Sequence, residues 1–192
     1  MTTKAHEQDP RVRLLAIADR VDALIRRIGE WAAWLALAMV LLTFAVVVIR
    51  YLFSSGSIAL QETVTYMHAL LFMLGIAYTL GRGGHVRVDI FYERFSPRGR
   101  AWVDLMGTLL LLIPVCVLIL WLGWEYVGES WRVKEASRET GGLPAVYLLK
   151  TLILIMPLLL LVQGLIEALR NLLFLLGVET ARRALEGGLP RA

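Results

Sequence analysis

Four runs of this chain are long, apolar and almost free of charge, and they narrow its fold more than any other feature. They are WAAWLALAMVLLTFAVVVI (Trp31–Ile49), TVTYMHALLFMLGIAYTL (Thr63–Leu80), the stretch from Val103 to Trp124 centred on LLLLIPVCVLILWLGW, and the stretch from Val146 to about Leu169 containing LILIMPLLLLVQGL. A helix rising about 1.5 Å per residue needs roughly twenty such residues to cross a hydrocarbon core about 30 Å thick. Lipid offers no hydrogen bonds, so each run must satisfy its own backbone, which a helix does and an open strand does not. The expectation is an all-α integral membrane protein. Its parts are a cytoplasmic tail with an amphipathic interfacial helix over residues 1–30, four transmembrane helices over 31–169, and a cytoplasmic C-terminal tail over 170–192. The first run is too long for the apolar segment of a signal peptide and lacks a small-residue cleavage site, so it is expected to remain as a span.

Charge orients the spans. The net charge of +4 would suggest nucleic acid in a soluble protein, but here it reflects where the arginines lie. Lys4, Arg11, Arg13, Arg20, Arg26 and Arg27 precede the first run, whereas only Arg50 follows it before the second. The connection GRGGHVRVDIFYERFSPRGR holds Arg82, Arg87, Arg94, Arg98 and Arg100. In the third connection Arg132, Lys134 and Arg138 are offset by Glu129, Glu135 and Glu139. Both termini and the Gly81–Arg100 connection are therefore expected in the cytoplasm. Its glycines permit a turn, and Ser96 followed by Pro97 reads as a helix cap and first helical residue. Nothing there matches a phosphate cradle, because no strand precedes the glycines and no Lys-Ser/Thr follows. His85 reads as a structural hydrogen-bonding residue, with Asp89 able to accept from Arg87, His85 or nearby backbone.

The tail repeats Leu14, Ile17, Val21, Leu24 and Ile28 at helical spacing, with arginines on other faces. Such a helix can lie in the membrane interface; a plain extension of the first span is the alternative. NLLFLLGV beyond Arg170 is too short to cross and is expected to fray or lie along the membrane. Glu62 is expected to pair with Arg50 across the short turn between the first two spans, or else to stand in water. His68 and Gln163 are expected to hydrogen-bond between helices, with substrate contact as the alternative. Pro114 and Pro157 each remove a backbone donor inside a run and favour a bend. The single Cys116 excludes a disulfide within the chain, and a cysteine metal cluster.

Equipment for chemistry or solute movement is sparse. The sequence has no HExxH or GxSxG motif, no inverted repeat, and no pair of interrupted spans. Neither an enzyme nor a cofactor site is expected. The reading from residues alone is an accessory membrane subunit; an interaction or assembly protein outside transport is the alternative.

From Val21 to Leu169 the chain resembles the small, DctQ-like permease subunit of tripartite ATP-independent periplasmic (TRAP) transporters. VVVIRYLF corresponds to that family's Arg-Tyr pair, here Arg50 and Tyr51. QETVTYMHALLFMLGIAYTLGRGGHVRVD corresponds to its Glu-bearing second helix, with Glu62, and to the G-x-H-V-R-V-D motif carrying His85, Arg87 and Asp89. ESWRVKEASRETGGLPAVYLLK matches the segment with Ser130, Glu135, Ser137, Gly142, Leu143, Pro144 and Lys150, and PLLLLVQGLIEAL supplies Pro157 and Gln163. Many members carry Trp and two acids before the second helix, where this chain has Ala59-Leu60-Gln61-Glu62, and many place a large apolar residue at His68. The resemblance implies a cytoplasmic-membrane transporter driven by sodium, importing a small organic acid, 2-oxo acid, mannitol-like or aromatic carboxylate in type. A periplasmic solute-binding protein and a large permease subunit would be its partners, membrane lipid its surroundings, and nucleic acid no partner. The residues named would then serve structure and assembly.

Overall fold

A computed structural model describes residues 10–84, 92 and 94–178, with side chains from Arg13 onward. Helix α1 runs Pro10–Phe53, α2 Ile58–Gly81 and α3 Pro97–Gly107; one π-helical stretch, Thr108–Leu112, joins α3 to α4, Ile113–Arg132, and α5 runs Val146–Leu175. Helices α3 and α4 form one continuous span, so four helical segments are long and apolar enough to cross a membrane. The described residues contain no strand, and the protein is all-α.

The spans do not pack in sequence order. Helix α1 lies on α2, α2 on α5, and α5 on α4, which places the last span between the second and the third. Helix α5 therefore buries residues along its whole length, from Leu152 through Pro157 and Leu160 to Gln163 and Leu173.

Small residues set the close approaches. A Cβ on Gly29 of α1 would stand 2.5 Å from Tyr78 of α2, and one on Gly123 of α4 would press Leu154 and Ile153 of α5 at 3.2 and 3.3 Å. Pro114 has no N–H to return to the preceding turn, and the helix answers by widening just before it. The Ile113 N–H reaches back five residues to the Thr108 carbonyl, the local π geometry by which a helix absorbs such a break. The widened turn pushes Leu112 and Thr108 against Gly164 of α5, where a side chain would overlap Leu112.

Several ends are legible in the sequence. Ser96 caps α3, accepting the Gly99 N–H at 3.2 Å, with Pro97 in the first turn. Helix α2 closes with Gly83 at φ +65, Gly84 N–H on the Thr79 carbonyl and Gly83 N–H on the Leu80 carbonyl, both at 2.9 Å. That pair of bonds satisfies carbonyls a helix end otherwise leaves open, and its left-handed residue favours glycine.

Two expectations change. The amphipathic N-terminal segment is not a separate element: α1 continues through residue 30 without interruption. Nor does the chain fray directly beyond Arg170, since α5 continues to Leu175 and ends in the same manner as α2, with Gly177 at φ +83 and Val178 N–H on the Leu173 carbonyl. One packing explains both. Leu15, Ala18 and Ile25 recur on one face of α1 and are buried, and Leu15 meets Leu173, with Leu169, Phe174 and Val178 around them. Each helix gives the other an apolar stripe to lie on, so both propagate past the apolar runs.

Candidate functional site

The polar side chains collect at the two ends of the bundle. At the end bearing the 54–57 and 133–145 connections, Ser57 caps α2 by accepting the Leu60 N–H at 3.4 Å. Glu62 follows in the next turn. One of its oxygens accepts the Ser137 hydroxyl and the other the Leu143 N–H at 2.6 Å. The loop is wound about this carboxylate: Ser137 N–H also donates to the Leu143 carbonyl at 3.0 Å, and Glu139 N–H to the Ser137 hydroxyl at 3.1 Å. Gly142 is required by the same closure, since a Cβ there would overlap Ser137 and lie 2.8 Å from Glu62.

A second carboxylate ties the other side of the loop. Glu135 accepts from the Ser130 hydroxyl at 2.7 Å and pairs with the Lys150 ammonium at 2.5 Å. The same ammonium stands 4.0 Å from the centre of the Tyr126 ring, where the ring face attracts a cation. Just past the end of α4, Lys134 takes the left-handed region, φ +49, a conformation costing a non-glycine residue about 1 kcal/mol or more. Its ammonium lies over Trp131 at 4.5 Å and Tyr147 at 4.9 Å, contacts that offset the strain. Trp131 also donates to Thr151 at 2.8 Å. The connection is thus held to α2, α4 and α5 at once.

The Lys150 ammonium, and after it the Ser130 hydroxyl, hold the Glu135 carboxyl below the usual carboxylate range. A depressed pKa contributes stability that is complete above the unfolded value, about 4.3, and is lost as pH falls through the folded one. The loop should therefore be unchanged between pH 7 and pH 5 and open only in more acid solution. Trp131 fluorescence, read against a Trp131→Phe chain, follows it. Loss of the signal already near pH 6 would assign the contact to some other group.

The opposite end carries a clamp of acids and one arginine. Arg170 of α5 donates to Asp19 at 2.8 Å and to Asp22 at 3.2 Å, both from α1. Asp22 also accepts from the Gln163 amide at 2.9 Å, and Gln163 is fully buried. Gly81, at the end of α2, touches the same group, because a Cβ there would stand 2.5 Å from the Gln163 amide nitrogen. Three helices meet at this point. Gly81 follows Glu62 by nineteen residues, about 28 Å along the helix. The two polar layers therefore stand apart by about the thickness of a hydrocarbon core.

The structure gathers Glu62, Ser137, Gly142 and Leu143 around one carboxylate, and Ser130, Glu135 and Lys150 around another; Gln163 lies at the far end. Arg50 and Tyr51 do not join them. Both are exposed at the end of α1, and Glu62 has both oxygens engaged by the loop, so the expected Arg50–Glu62 pair is not formed. Pro144 is exposed in the bend before α5. His68 points outward instead of bonding another helix of the bundle. His85, Arg87 and Asp89 lie outside the described residues. Sequence reasoning missed Asp19, Asp22, Arg170 and Tyr126. The signal for the acids was present: Asp22 shares the face of Leu15, Ala18 and Ile25, and Asp19 borders it. Among the described residues no three histidine, cysteine or acidic side chains converge as a metal site.

This arrangement of four spans with a tied loop can now be set against known proteins. Residues 39–174 match the family model described as tripartite ATP-independent periplasmic transporters, DctQ component. The chain belongs to the DctQ family. The matched region starts within α1 and takes in α2–α4, α5 as far as Phe174, both Glu62 and Glu135, and Gln163. Among relatives of this DctQ chain is the C4-dicarboxylate TRAP transporter small permease protein DctQ of Vibrio cholerae. It is 30% identical over 107 residues, 56% of this chain and 45% of the relative. A putative TRAP transporter small permease protein of Haemophilus influenzae is 31% identical over 86 residues, 45% of this chain and 53% of the relative. The chain spans about half the length of these curated relatives. No solved structure matches it.

Proposed function

We propose that this DctQ-family chain is the fixed membrane scaffold of a sodium-driven importer. It would hold a large permease subunit and receive a periplasmic solute-binding protein at the end where residues 133–145 lie. The observation that carries this reading is where the polar side chains go: Glu62, Glu135, Lys150, Asp22, Gln163 and Arg170 all engage other parts of the same chain. Groups used in this way hold helices to one another and leave little with which to bind and release a solute. The arginine distribution supports an inner-membrane orientation with both termini and the Arg82–Arg100 connection in the cytoplasm. A small carboxylate, of 2-oxo acid or related type, is the proposed solute; the V. cholerae relative is named for C4-dicarboxylates.

The test is co-expression with the cognate large permease, purification in detergent, and uptake by proteoliposomes with binding protein added. Expected is a stable complex whose uptake requires sodium and all three proteins. Uptake by the large permease alone at the full rate would remove the scaffold role. An impermeant thiol reagent should label cysteines at Ser55 and Arg138 in intact cells, and one at Arg98 only after permeabilisation; the reverse pattern inverts the orientation.

A further inference from the structure

Helix α2 is half-buried over most of its surface and exposed along one side. Between Ile58 and Gly81 its exposed residues are Gln61, Thr65, His68 and Phe72, which fall within a sector of about 60° at about 100° per residue. Ala77, on the opposite face, is fully buried. The stripe continues to Gly75, where an added Cβ would meet nothing within 4 Å.

Three of these four exposed residues are polar, and one sits deep. His68 lies six residues beyond Glu62 and thirteen before Gly81, hence about 9 Å inside one polar layer and about 20 Å from the other. An imidazole is too short to reach either layer in the way a lysine stem can. Thr65 returns its hydroxyl to the Gln61 carbonyl at 3.4 Å, as Thr43 of α1 does to Met39 at 2.7 Å, so exposed threonines need no outside partner. His68 has no such local bond among the described residues. Exposed to lipid at that depth, an imidazole costs free energy; against another protein it gains an interhelical hydrogen bond. The outward faces of α1 (Leu37, Leu41, Phe44) and α4 (Val117, Leu118, Trp121) are apolar at comparable depth and suit acyl chains.

We propose that the Gln61–Thr65–His68–Phe72 stripe seats a transmembrane helix of the large permease. That helix presents a hydrogen-bonding side chain opposite His68 and crosses closely at Gly75, where no side chain stands in its way. The inference rests on the scaffold reading above and adds to it the face that docks.

An exposed aromatic serves as a probe on each face: Phe72 on α2, Phe44 on α1 and Trp121 on α4, at 60%, 68% and 77% exposure. A benzoylphenylalanine at each position, photolysed in membranes containing the large permease, reports which face is covered. Expected is an adduct to the large permease from position 72, with none from 44 or 121. His68→Leu should lower the complex recovered in detergent roughly three- to tenfold, and His68→Gln should retain most of it. Adducts from 44 or 121 with 72 silent would move the docking face. An adduct of two copies of this chain at 72 would give the stripe to a homodimer, and unchanged recovery of His68→Leu would remove the histidine from the contact. If the unaltered chain fails to copurify with the large permease, the scaffold reading fails, and the named partner with it.

Discussion

Replacing Arg170 with methionine should destabilise the purified chain by about 2–3 kcal/mol, followed by detergent-titrated or thermal unfolding in micelles. The guanidinium side chain is 12% exposed, and it answers Asp22 at 32% and Asp19 at 56%. Methionine keeps the apolar volume, so the loss comes from stranding charge. Removing one partner of a buried pair commonly costs about 3–5 kcal/mol, and the partial exposure of both acids lowers that figure. Asp19→Asn should cost less than about 1 kcal/mol, because its carboxylate is already half in water. Adding Asp22→Asn to Arg170→Met should recover part of the loss, since the remaining charge near the buried Gln163 amide is then gone. Strictly additive effects would show that Arg170 and Asp22 are not coupled. The expected consequence is local as well as global. Without Arg170, residues 10–25 of α1 and 163–175 of α5 keep only the Leu15–Leu173 stripe and the Gln163–Asp22 bond between them, and hydrogen exchange there should rise first.

Glu62→Ala should release the 133–145 connection and leave the helices in place. The carboxylate is the acceptor for both the Ser137 hydroxyl and the Leu143 N–H, and alanine leaves that buried-side N–H without a partner. Protease cleavage within Arg138–Leu143 should quicken roughly tenfold or more. Arg50→Ala should leave it near the unaltered rate, since Arg50 is exposed and does not touch Glu62. The two together should behave as Glu62→Ala does. Equal effects of the two single changes would restore the ion pair that the structure replaces with loop contacts. If the loop receives the binding protein, Glu62→Ala should also weaken that docking while the large permease stays bound.

Much of this architecture is written in one dimension. Four apolar runs of sufficient length dictate four helices, because lipid leaves the backbone no other way to satisfy itself. Ser96-Pro97 and the glycines at 81–84 mark ends for equally local reasons: a hydroxyl that caps, a ring that suits the first turn, and a residue free to take positive φ. What local chemistry could not supply was partnership. Arg50 and Glu62 are close along the chain and of opposite charge, yet Glu62 bonds residues 75 and 81 positions away. Backbone N–H groups of a loop compete for a carboxylate as well as a guanidinium does, and no residue letter announces them. Nothing in the sequence singles out a partner for Asp19 and Asp22; the last span, lying between the second and third, brings Arg170 to Asp19 across 151 positions and Arg170 and Gln163 to Asp22 across 148 and 141. The direction of His68 had the same origin. Helical periodicity places it on the face of Gln61, Thr65 and Phe72, but only the packing of α1 and α5 against the rest of α2 decides that this face is the one left open. The sequence alone therefore determined how many helices cross the membrane and where several of them end, since those depend on each segment and its solvent. Which polar groups meet, and which face remains for a partner, the tertiary structure decided, because that order of packing depends on side-chain shape and contact between segments far apart in the chain.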